Sequence, residues 1–388
     1  MTNAEKQIDH IHKITQPKIN AKGTGLTNSL IYYKKSKRYQ KNFSGKTAEI
    51  IEEKIEEFIT EIFMNELILL STAIHYENFA KVWIHRIKKN KVKPQTLFRT
   101  INIFQQYIFP SIGHIPVCNV KNSDIQNLIN SLTDEGYSPS TIRNTFFNIS
   151  ASFRYFRIIS EQPLNPCEGI TLPKAKKPEP RYLLRDERMQ LEKAAFSTDD
   201  NGNFIYRYGP ALILLMYTGM RACEAIALTW QDIDFQEKLI DINKSTVYQK
   251  ENGKMQLITQ KGSKTPCSLR NIPMTTKARW CLFELKHLSD KSKYVISNSN
   301  GEQINVKDLY KCFNQILKDY SIIKPDEHRS VHSLRHTFAS MLFENGCNSK
   351  IISELLGHSS VRFTENTYIH IIHKLKAKAI SDMDLYCK

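Results

Sequence analysis

The chain has 388 residues, of which 41% are hydrophobic and 24% charged, as in ordinary globular proteins. This composition excludes collagen-like and wholly disordered chains, and no apolar stretch approaches the roughly 20 residues that cross a bilayer. Lys and Arg outnumber Asp and Glu by 55 to 39, and the net charge of +16 favours a polyanionic partner, nucleic acid ahead of a membrane surface. The N-terminal ten residues lack the apolar segment of a signal peptide, so we predict a cytoplasmic protein.

Residues 1–48 hold ten basic and two acidic residues, which is half of the net charge. The segment LIYYKKSKRYQKNF surrounds a KKSK turn with aromatic and basic residues, and this pattern predicts a β-ribbon that can enter a DNA major groove. A disordered basic tail is the alternative. Helical spacing of Ile51, Ile55 and Phe58 predicts a helix from about 47 to 68, which completes a small domain over 1–70. The candidate DNA contacts here are Lys34, Lys35, Lys37 and Arg38.

Residues 71–170 contain four segments with apolar residues every three or four positions, separated by prolines and glycines. This pattern predicts an all-helical domain. Basic residues recur along its helices and indicate a DNA-binding face, although a solvated basic face without a ligand is the alternative. The candidate contacts are Lys88, Lys89, Lys91 and Arg143.

Residues 171–182, TLPKAKKPEPRY, include three prolines and four basic residues. Proline fixes φ and lacks an N–H, so this segment is predicted to be a linker, and its charge suits a path beside phosphates. The candidate contacts in it are Lys174, Lys176 and Lys177.

Residues 183–388 form the last predicted domain. Three strand-like runs, KLIDINKSTVYQ, KMQLITQKG and CSLRNIPM, lie between helical segments and predict a mixed α+β domain with a small antiparallel sheet. The predicted helices cover about 185–196, 208–218, 275–288, 306–320, 332–345 and 348–356, and a basic, helix-prone tail follows from about 370. The fold class is therefore multidomain and mainly α.

Two polar clusters interrupt this domain. In TGMRACEAIAL, Gly219 ends one helix while Arg221 and Glu224 open the next, and the apolar surroundings predict a half-buried Arg221 that needs an anionic partner. In HSLRHTFASMLFENGCNSKIISELLGHSS, residues 332, 335 and 336 share one helical face, and Gly357 exposes His358.

The second cluster has two other interpretations. Its helix–Gly–helix spacing also suits a helix-turn-helix DNA reader. His328, His332 and His336 at four-residue spacing could chelate a metal, but no H-E-x-x-H motif or carboxylate set completes such a site. The eight cysteines are scattered without a C-x-x-C pair, which predicts buried thiols and neither disulfides nor a zinc site.

Tyr368 stands ten residues after His358 in FTENTYIHIIH, and alone it would be an ordinary core or surface tyrosine. The order Arg, Lys in a strand turn, His-x-x-Arg, Gly-His and Tyr, however, resembles the tyrosine recombinase (phage integrase) family over residues 183–375. Residues 75–170 look like that family's helical core-binding domain. The segment GTGLTNSLIYYKKSKRYQKNFSGKT is similar to the arm-binding ribbon of integrases from conjugative transposons and temperate phages.

The resemblance implies a role for each matching residue. Tyr368 would attack a DNA phosphodiester and leave a 3′-phosphotyrosyl bond, with His332 assisting its proton transfer. Arg221 and Arg335 would clamp the non-bridging oxygens, and His358 would donate a hydrogen bond to the phosphate. Lys264, with Lys261 as the runner-up, would protonate the 5′-oxygen leaving group. Glu224 would be structural, orienting Arg221 or capping its helix.

The function that the resemblance implies is site-specific recombination of a mobile element, by integration and excision. It would need no metal and no nucleotide cofactor. The domains would be an arm-type DNA-binding domain (1–70), a core-binding domain (71–170), a linker (171–182) and a catalytic domain with a C-terminal tail (183–388). The partners would be double-stranded core and arm sites, a homotetramer on DNA, and accessory excision or DNA-bending factors, with no membrane. A non-catalytic helix-turn-helix regulator and a type IB topoisomerase are the alternatives.

Overall fold

The computed structural model describes residues 10–14, 18–19, 25–34, 37–48, 50–52, 54–55, 58, 74–160, 165–174, 181–251, 254–262, 269–289, 291–324, 327–369, 371–372, 377, 380–381 and 383. The chain divides into two compact units, Met1–Lys176 and Lys177–Lys388. The division falls inside the segment 171–182 that the prolines marked as a linker. The three boundaries between the four segments drawn from the sequence remain predictions.

The first unit begins with an antiparallel sheet. Its strands are β1 (His10–Ile14), β2 (Lys18–Ile19), β3 (Leu26–Lys34) and β4 (Lys37–Gly45). β3 and β4 pair from Leu26↔Gly45 to Lys34↔Lys37, which confirms the predicted ribbon, while β1 and β2 both pair with β3 and were not foreseen. Helical residues between 48 and 58 pack Ile51 and Ile55 against this sheet, where Leu30 and Phe43 complete a small core.

The rest of the first unit is helical, as predicted. Its helices are α1 (Tyr76–Val82), α2 (Pro94–Ile103), α3 (Asn122–Asp134) and α4 (Pro139–Ser160). α1 continues as a π-helical turn over Trp83–Lys88, and α2 continues through a second one over Phe104–Ile108. The fully buried Tyr76 stacks on Phe153 with ring centroids 4.8 Å apart, and its hydroxyl lies 2.7 Å from Ser152 Oγ. This stack ties the first helix of the bundle to the last.

The second unit is built around one apolar helix. Its helices are α5 (Arg185–Ala195), α6 (Gly209–Thr218), α7 (Ala222–Ala225), α8 (Thr276–Leu288), α9 (Val306–Asp319), α10 (Val331–Glu344), α11 (Ser349–Leu356) and α12 (Val361–Thr367). Residues 211–216 of α6 are apolar and almost wholly buried, which makes α6 the centre of the core. A helix that is apolar on every face needs neighbours all round, and α5, α8 and α10 supply them.

The strands of the second unit form two separate antiparallel sheets. One contains β5 (Ile233–Asp234), β6 (Leu239–Ile242) and β9 (Arg270–Pro273) in the order β5-β6-β9. The other is the hairpin of β7 (Lys244–Glu251) and β8 (Lys254–Lys261). The sequence predicted one continuous strand across Asn243. The structure breaks it at Asn243, whose side-chain amide donates to Asp232 and Asp241.

Candidate active site

Gly219 and Arg221 form the turn between α6 and α7. Gly219 ends α6 with φ of 64°, a left-handed conformation that glycine adopts without a steric penalty. A Cβ on this residue would lie 2.4 Å from Phe338 Cδ1, so only glycine fits the approach of α10. The turn places Arg221 just before α7, and its side chain keeps 32% of its surface exposed. Arg221 is thus half-buried, as the sequence predicted.

Arg335 lies in the middle of α10 and is 2% exposed. Its guanidinium donates to the carbonyl oxygen of Gly219 at 2.8 Å and to that of Leu356. Burial and the nearby positive charge of Arg221 lower the pKa of Arg335, although the group stays protonated at neutral pH. Arg221 also donates to the Gly357 carbonyl at 3.1 Å. Both predicted phosphate-clamping arginines therefore meet at the C-terminal end of α11.

Glu224 is the anionic partner that Arg221 was expected to need. Its buried carboxylate accepts from the Arg221 backbone N–H at 2.9 Å and from Arg221 Nη1 at 2.7 Å. Arg270 on β9 forms a second pair with the same carboxylate, with Nη2 2.9 Å from Oε2. Desolvation opposes ionisation of Glu224, but hydrogen bonds and charge from Arg270, followed by the charge of Arg221, outweigh it and lower its pKa.

His358 follows the helix end at Gly357, whose φ of 65° gives α11 its left-handed C-cap. The Nδ1 atom of His358 lies 2.7 Å from the hydroxyl of Thr364, a fully buried residue of α12. This hydrogen bond fixes the orientation of the imidazole ring. Burial and the charges of Arg335 and Arg221 lower the pKa of His358 to about 3, so the ring is neutral at pH 7.

Tyr368 follows α12 and is fully buried against Phe338, Phe343 and Leu356. Its hydroxyl lies 2.8 Å from His336 Nδ1. Burial raises the pKa of Tyr368 well above its usual value, and the charge of Arg335 offsets only part of that increase.

The contact of Tyr368 with His336 was not expected from the sequence, and the assignment of proton transfer to His332 stays a prediction. The sequence assigned the proton transfer of the tyrosine to His332, whereas the structure places His336, one helical turn further along α10, against the hydroxyl. The two histidine rings meet edge to face with centroids 4.8 Å apart, so His332 stands behind His336.

Both histidines of α10 are held in the neutral form. Desolvation, then the positive charges of Arg335 and Arg221, lower the pKa of His332, even though part of its ring faces solvent. Burial and His332 lower the pKa of His336 to about 4. A neutral imidazole can accept a proton, and His336 has the geometry to take one from Tyr368.

The predicted lysine cannot be placed with the other groups. Lys264 lies outside the described residues. The runner-up, Lys261, is the last residue of β8, and only its backbone is among the described parts of the chain. Both stay candidates from the sequence.

The predicted DNA contacts differ in their surroundings. Arg38, Lys89, Lys91 and Lys174 are exposed. The backbones of Lys34 and Lys37 pair at the end of the β3–β4 hairpin. Lys88 covers the Trp83 ring, with Nζ 5.3 Å from the centroid, and burial lowers its pKa. Lys35, Lys176 and Lys177 lie outside the described residues.

Arg143 has a partner within the protein. Its Nη2 donates to the carbonyl oxygen of Pro173 at 3.2 Å, and its Nε is buried. The side chain therefore ties α4 to the segment that leaves the helical bundle, and its contact with DNA stays a prediction.

Sequence reasoning missed Arg270 and did not assign His336 to the tyrosine. His336 had a signal, because it shares a helical face with Arg335. Arg270 had none, since its carboxylate partner lies 46 residues away in the chain. In the described parts of the chain, no three His, Cys, Asp or Glu residues are grouped so that they could hold a metal ion. Nor is any helix in those parts long and apolar enough to cross a membrane.

Comparison with known proteins gives the site a family. Residues 189–374 match the phage integrase family, and residues 75–133 match the N-terminal SAM-like domain of phage integrases. The two matches together cover more than half of the chain. The chain belongs to the phage integrase family of tyrosine recombinases. The resemblance noted in the sequence is confirmed.

Several bacterial recombinases are similar to this tyrosine recombinase. A tyrosine recombinase XerC-like protein of Caldanaerobacter subterraneus subsp. tengcongensis is 28% identical over 379 residues, which cover 90% of this chain and 92% of the relative. The tyrosine recombinase XerC of Oceanobacillus iheyensis is 25% identical over 272 residues, 70% of this chain and 83% of the relative.

Solved structures share the fold. The Tn1549 transposon integrase in complex with transposon right-end DNA aligns with a TM-score of 0.63 and 22% identity, over 75% of this chain and 93% of that one. A lambda integrase dimer bound to a COC′ core site aligns with a TM-score of 0.58 and 18% identity, over 90% and 93% of the two chains. These similarities confirm the multidomain, mainly α fold class.

Proposed function

We propose that this tyrosine recombinase cleaves DNA by attack of the Tyr368 hydroxyl on a phosphodiester, which forms a 3′-phosphotyrosyl bond and frees a 5′-hydroxyl. The family makes the chain a site-specific DNA recombinase, an enzyme that cleaves and rejoins DNA. The bond energy is kept in the phosphotyrosine and returned on religation. The reaction therefore requires neither a metal ion nor a nucleotide.

The observation that carries the proposal is the convergence of Arg221, Arg335 and His358 on the end of α11, with Tyr368 packed beneath it. These residues come from four separate parts of the chain. Two guanidiniums and neutral imidazoles form a site with excess positive charge and hydrogen-bond donors, which suits the growing negative charge of a phosphoryl transition state.

Each group then has a role. Arg221 and Arg335 clamp the non-bridging oxygens, and His358, oriented by Thr364, donates to the phosphate. His332 assists the proton transfer of Tyr368, and His336 holds the Tyr368 hydroxyl in its packed position. Lys264, or Lys261 in its place, protonates the leaving 5′-oxygen. Glu224 orients Arg221 through two hydrogen bonds.

Tyr368 must move before it reacts. Its side chain has no exposed surface, and burial raises the pKa of the phenol, so attack on a bound duplex requires the segment around Tyr368 to leave its packed position. We infer that this release accompanies DNA binding, because the Tyr368 hydroxyl must reach the phosphate that Arg335 and Arg221 hold.

The wider setting follows from the same proposal. The partners would be double-stranded core and arm sites of a mobile element, recognised by a core-binding domain (71–170) and an arm-type domain (1–70) that precede the catalytic domain (183–388) in the chain. Four protomers would assemble on two duplexes in the cytoplasm, on chromosomal or element DNA. Accessory excision or DNA-bending factors would set the direction of the reaction.

Covalent cleavage tests the proposal directly. Duplexes bound by the Tyr368→Phe protein are selected from random sequence, since this protein binds without cutting, and are then end-labelled and nicked near the bound site. The nick lets the short 5′-fragment diffuse away, so a phosphotyrosyl adduct accumulates. On a denaturing gel in EDTA, wild-type protein should give a shifted band that the Tyr368→Phe protein lacks, while DNA affinity changes by less than about twofold because only a hydroxyl is lost.

Tyr217→Phe is the matched control, because Tyr217 also hydrogen-bonds through its hydroxyl, to Glu192, away from the clamping arginines. It should give the adduct at the wild-type rate. Adduct formation by Tyr368→Phe would disprove the assignment of the nucleophile. Tight binding without an adduct in the wild type would instead favour a DNA-binding regulator.

A further inference from the structure

Three consecutive carbonyl oxygens at the end of α11 each receive a hydrogen bond from a different arginine. Arg270 Nε donates to Leu355 at 2.7 Å, Arg335 donates to Leu356, and Arg221 donates to Gly357 at 3.1 Å. The last carbonyls of a helix have no partner within it and carry the negative end of the helix dipole. Guanidiniums therefore bind favourably at this helix end. His358 follows Gly357 directly, so the arginines bind next to a residue of the site.

The three arginines are not equivalent. The side chain of Arg221 is 32% exposed, whereas that of Arg270 is 6% exposed. Arg270 also directs Nη1 and Nη2 at the two oxygens of Glu224, at 3.2 and 2.9 Å. The Arg270 guanidinium thus binds a buried carboxylate through one edge and a helix end through Nε. It is therefore not available to a DNA phosphate.

Glu224 connects Arg270 to Arg221. The carboxylate is 3% exposed and accepts from Arg270 on β9 and from Arg221 before α7. Desolvation disfavours its charge, and Arg270 supplies the largest compensating hydrogen bond, which keeps the pKa of Glu224 low. Without Arg270, this carboxylate would be a poorer and less fixed acceptor for Arg221.

We propose that Arg270 is a positioning residue for strand cleavage: by joining Glu224 to the Leu355 carbonyl, it sets the distance between Arg221 and His358. This inference rests on the proposed function. Arg270 touches no DNA in this scheme and acts through Arg221.

Arg270→Lys tests the role with the least disturbance. It keeps the charge but loses the fork, so one amine cannot reach Glu224 and Leu355 together. At saturating protein on a nicked duplex, we expect the single-turnover rate of adduct formation to fall roughly 10- to 100-fold, because misplacing a transition-state contact affects the chemical step. The dissociation constant for DNA should change by less than about twofold, since Arg270 makes no phosphate contact.

A double-mutant cycle separates positioning from general damage to the fold. If Arg270 acts through Arg221, the protein with both Arg221→Lys and Arg270→Lys should cleave at the rate of Arg221→Lys alone, within about twofold. If the two substitutions acted independently, their fold-reductions in cleavage rate would multiply. Arg207→Lys is the matched control, because Arg207 likewise donates to backbone carbonyls, those of Leu288, Ser297 and Asn298, and contacts none of the site residues named above. It should cleave at the wild-type rate.

Thermal melting establishes that each variant is folded at the assay temperature, and Arg270→Gln replaces Arg270→Lys if the lysine variant is unfolded. A wild-type cleavage rate in the Arg270 variant, multiplied losses in the cycle, or loss of folding in both Arg270 variants would each overturn the positioning role. Absence of an adduct with the wild-type protein would instead disprove the proposed function, and the positioning role with it.

Discussion

The histidines of the site are neutral bases beside two guanidiniums. Positive charge from Arg335 and Arg221, added to burial, disfavours a proton on His332 and His358, and burial with His332 does so on His336. Neutral rings suit the proposed reaction, because a histidine can accept the proton of Tyr368 only if it carries none on the accepting nitrogen. The positive charge that binds phosphate thus also keeps the neighbouring imidazole rings neutral.

The lowered pKa values of the histidines also make the stability of the fold depend on pH. His336 and His358 have folded pKa values of about 4 and about 3, below the value of about 6.5 expected in the unfolded chain. The unfolded state therefore binds more protons below pH 6.5, so the free energy of unfolding is highest above pH 6.5 and falls as the pH drops towards 4. We expect a loss of roughly 1–3 kcal/mol between pH 7 and 5, measured by urea unfolding, after allowing for the partial exposure of both rings.

A histidine substitution tests the origin of this loss. His358→Asn retains an amide that can bond Thr364 but removes one titrating ring, so the loss between pH 7 and 5 should be smaller than in wild type. The His287→Asn protein, changed at an exposed position of α8, should lose as much free energy of unfolding between pH 7 and 5 as wild type. Equal losses in all three proteins would mean that the site histidines do not cause the pH dependence.

At the scale of elements, two left-handed glycines end the helices that carry the site. Gly219 ends α6 just before Arg221, and Gly357 ends α11 just before His358. A left-handed C-cap turns the chain sharply, so the residue that follows leaves the helix axis and can point into the site. Helix ends therefore place the reactive groups, while the helix interiors form the core.

Substitution of Gly219 should be much more harmful than substitution of another left-handed glycine. Gly219→Ala places a Cβ 2.4 Å from Phe338 and 2.9 Å from Leu356, and φ is +64°, so we expect a loss of about 2–4 kcal/mol of stability together with reduced cleavage. Gly346→Ala is the matched control, with φ of +77° and no atom within 4 Å, and should cost only about 1 kcal/mol. Urea unfolding midpoints measure both, and equal losses would show that the contact with α10 is unimportant.

At the scale of the whole molecule, basic charge is concentrated at the N-terminus, where residues 1–48 provide half of the net charge of +16. The β3–β4 hairpin occupies this region with Arg38 exposed on β4. The proposed active-site residues all belong to the second unit, Lys177–Lys388. A charged ribbon remote in sequence from the chemistry suits a second DNA site, whose binding adds affinity to the first.

Deleting residues 1–65 should separate these two activities. Adduct formation on a short crossover duplex should stay within about twofold of wild type, because the proposed catalytic and core-binding domains are intact. Recombination between plasmids that carry the full attachment sites should fall by roughly 10- to 100-fold, since the linked binding sites no longer raise the effective concentration. Loss of cleavage itself would contradict the assignment of 1–70 as an arm-type domain.

Much of the secondary structure could be read from the sequence because its signals are local. The spacing in 208–218 and 275–288 predicted helices that the structure bounds at Gly209–Thr218 and Thr276–Leu288. Apolar residues one turn apart bury the same face whatever the neighbours are. The short strands β1 and β2 were missed, because their partner β3 is separated from them in sequence and pairing provides most of their stability.

The order and spacing of Arg221, His332, Arg335, His358 and Tyr368 were enough to indicate the family and its chemistry, since they lie in short motifs that can be recognised in the sequence. Which atoms meet depended on packing. The contact of His336 with Tyr368 joins residues 32 apart, and the pairs of Arg270 with Glu224 and Leu355 join residues 46 and 85 apart. Such contacts arise when α10, α11 and β9 pack together, and no local pattern encodes the distance between side chains on separate elements.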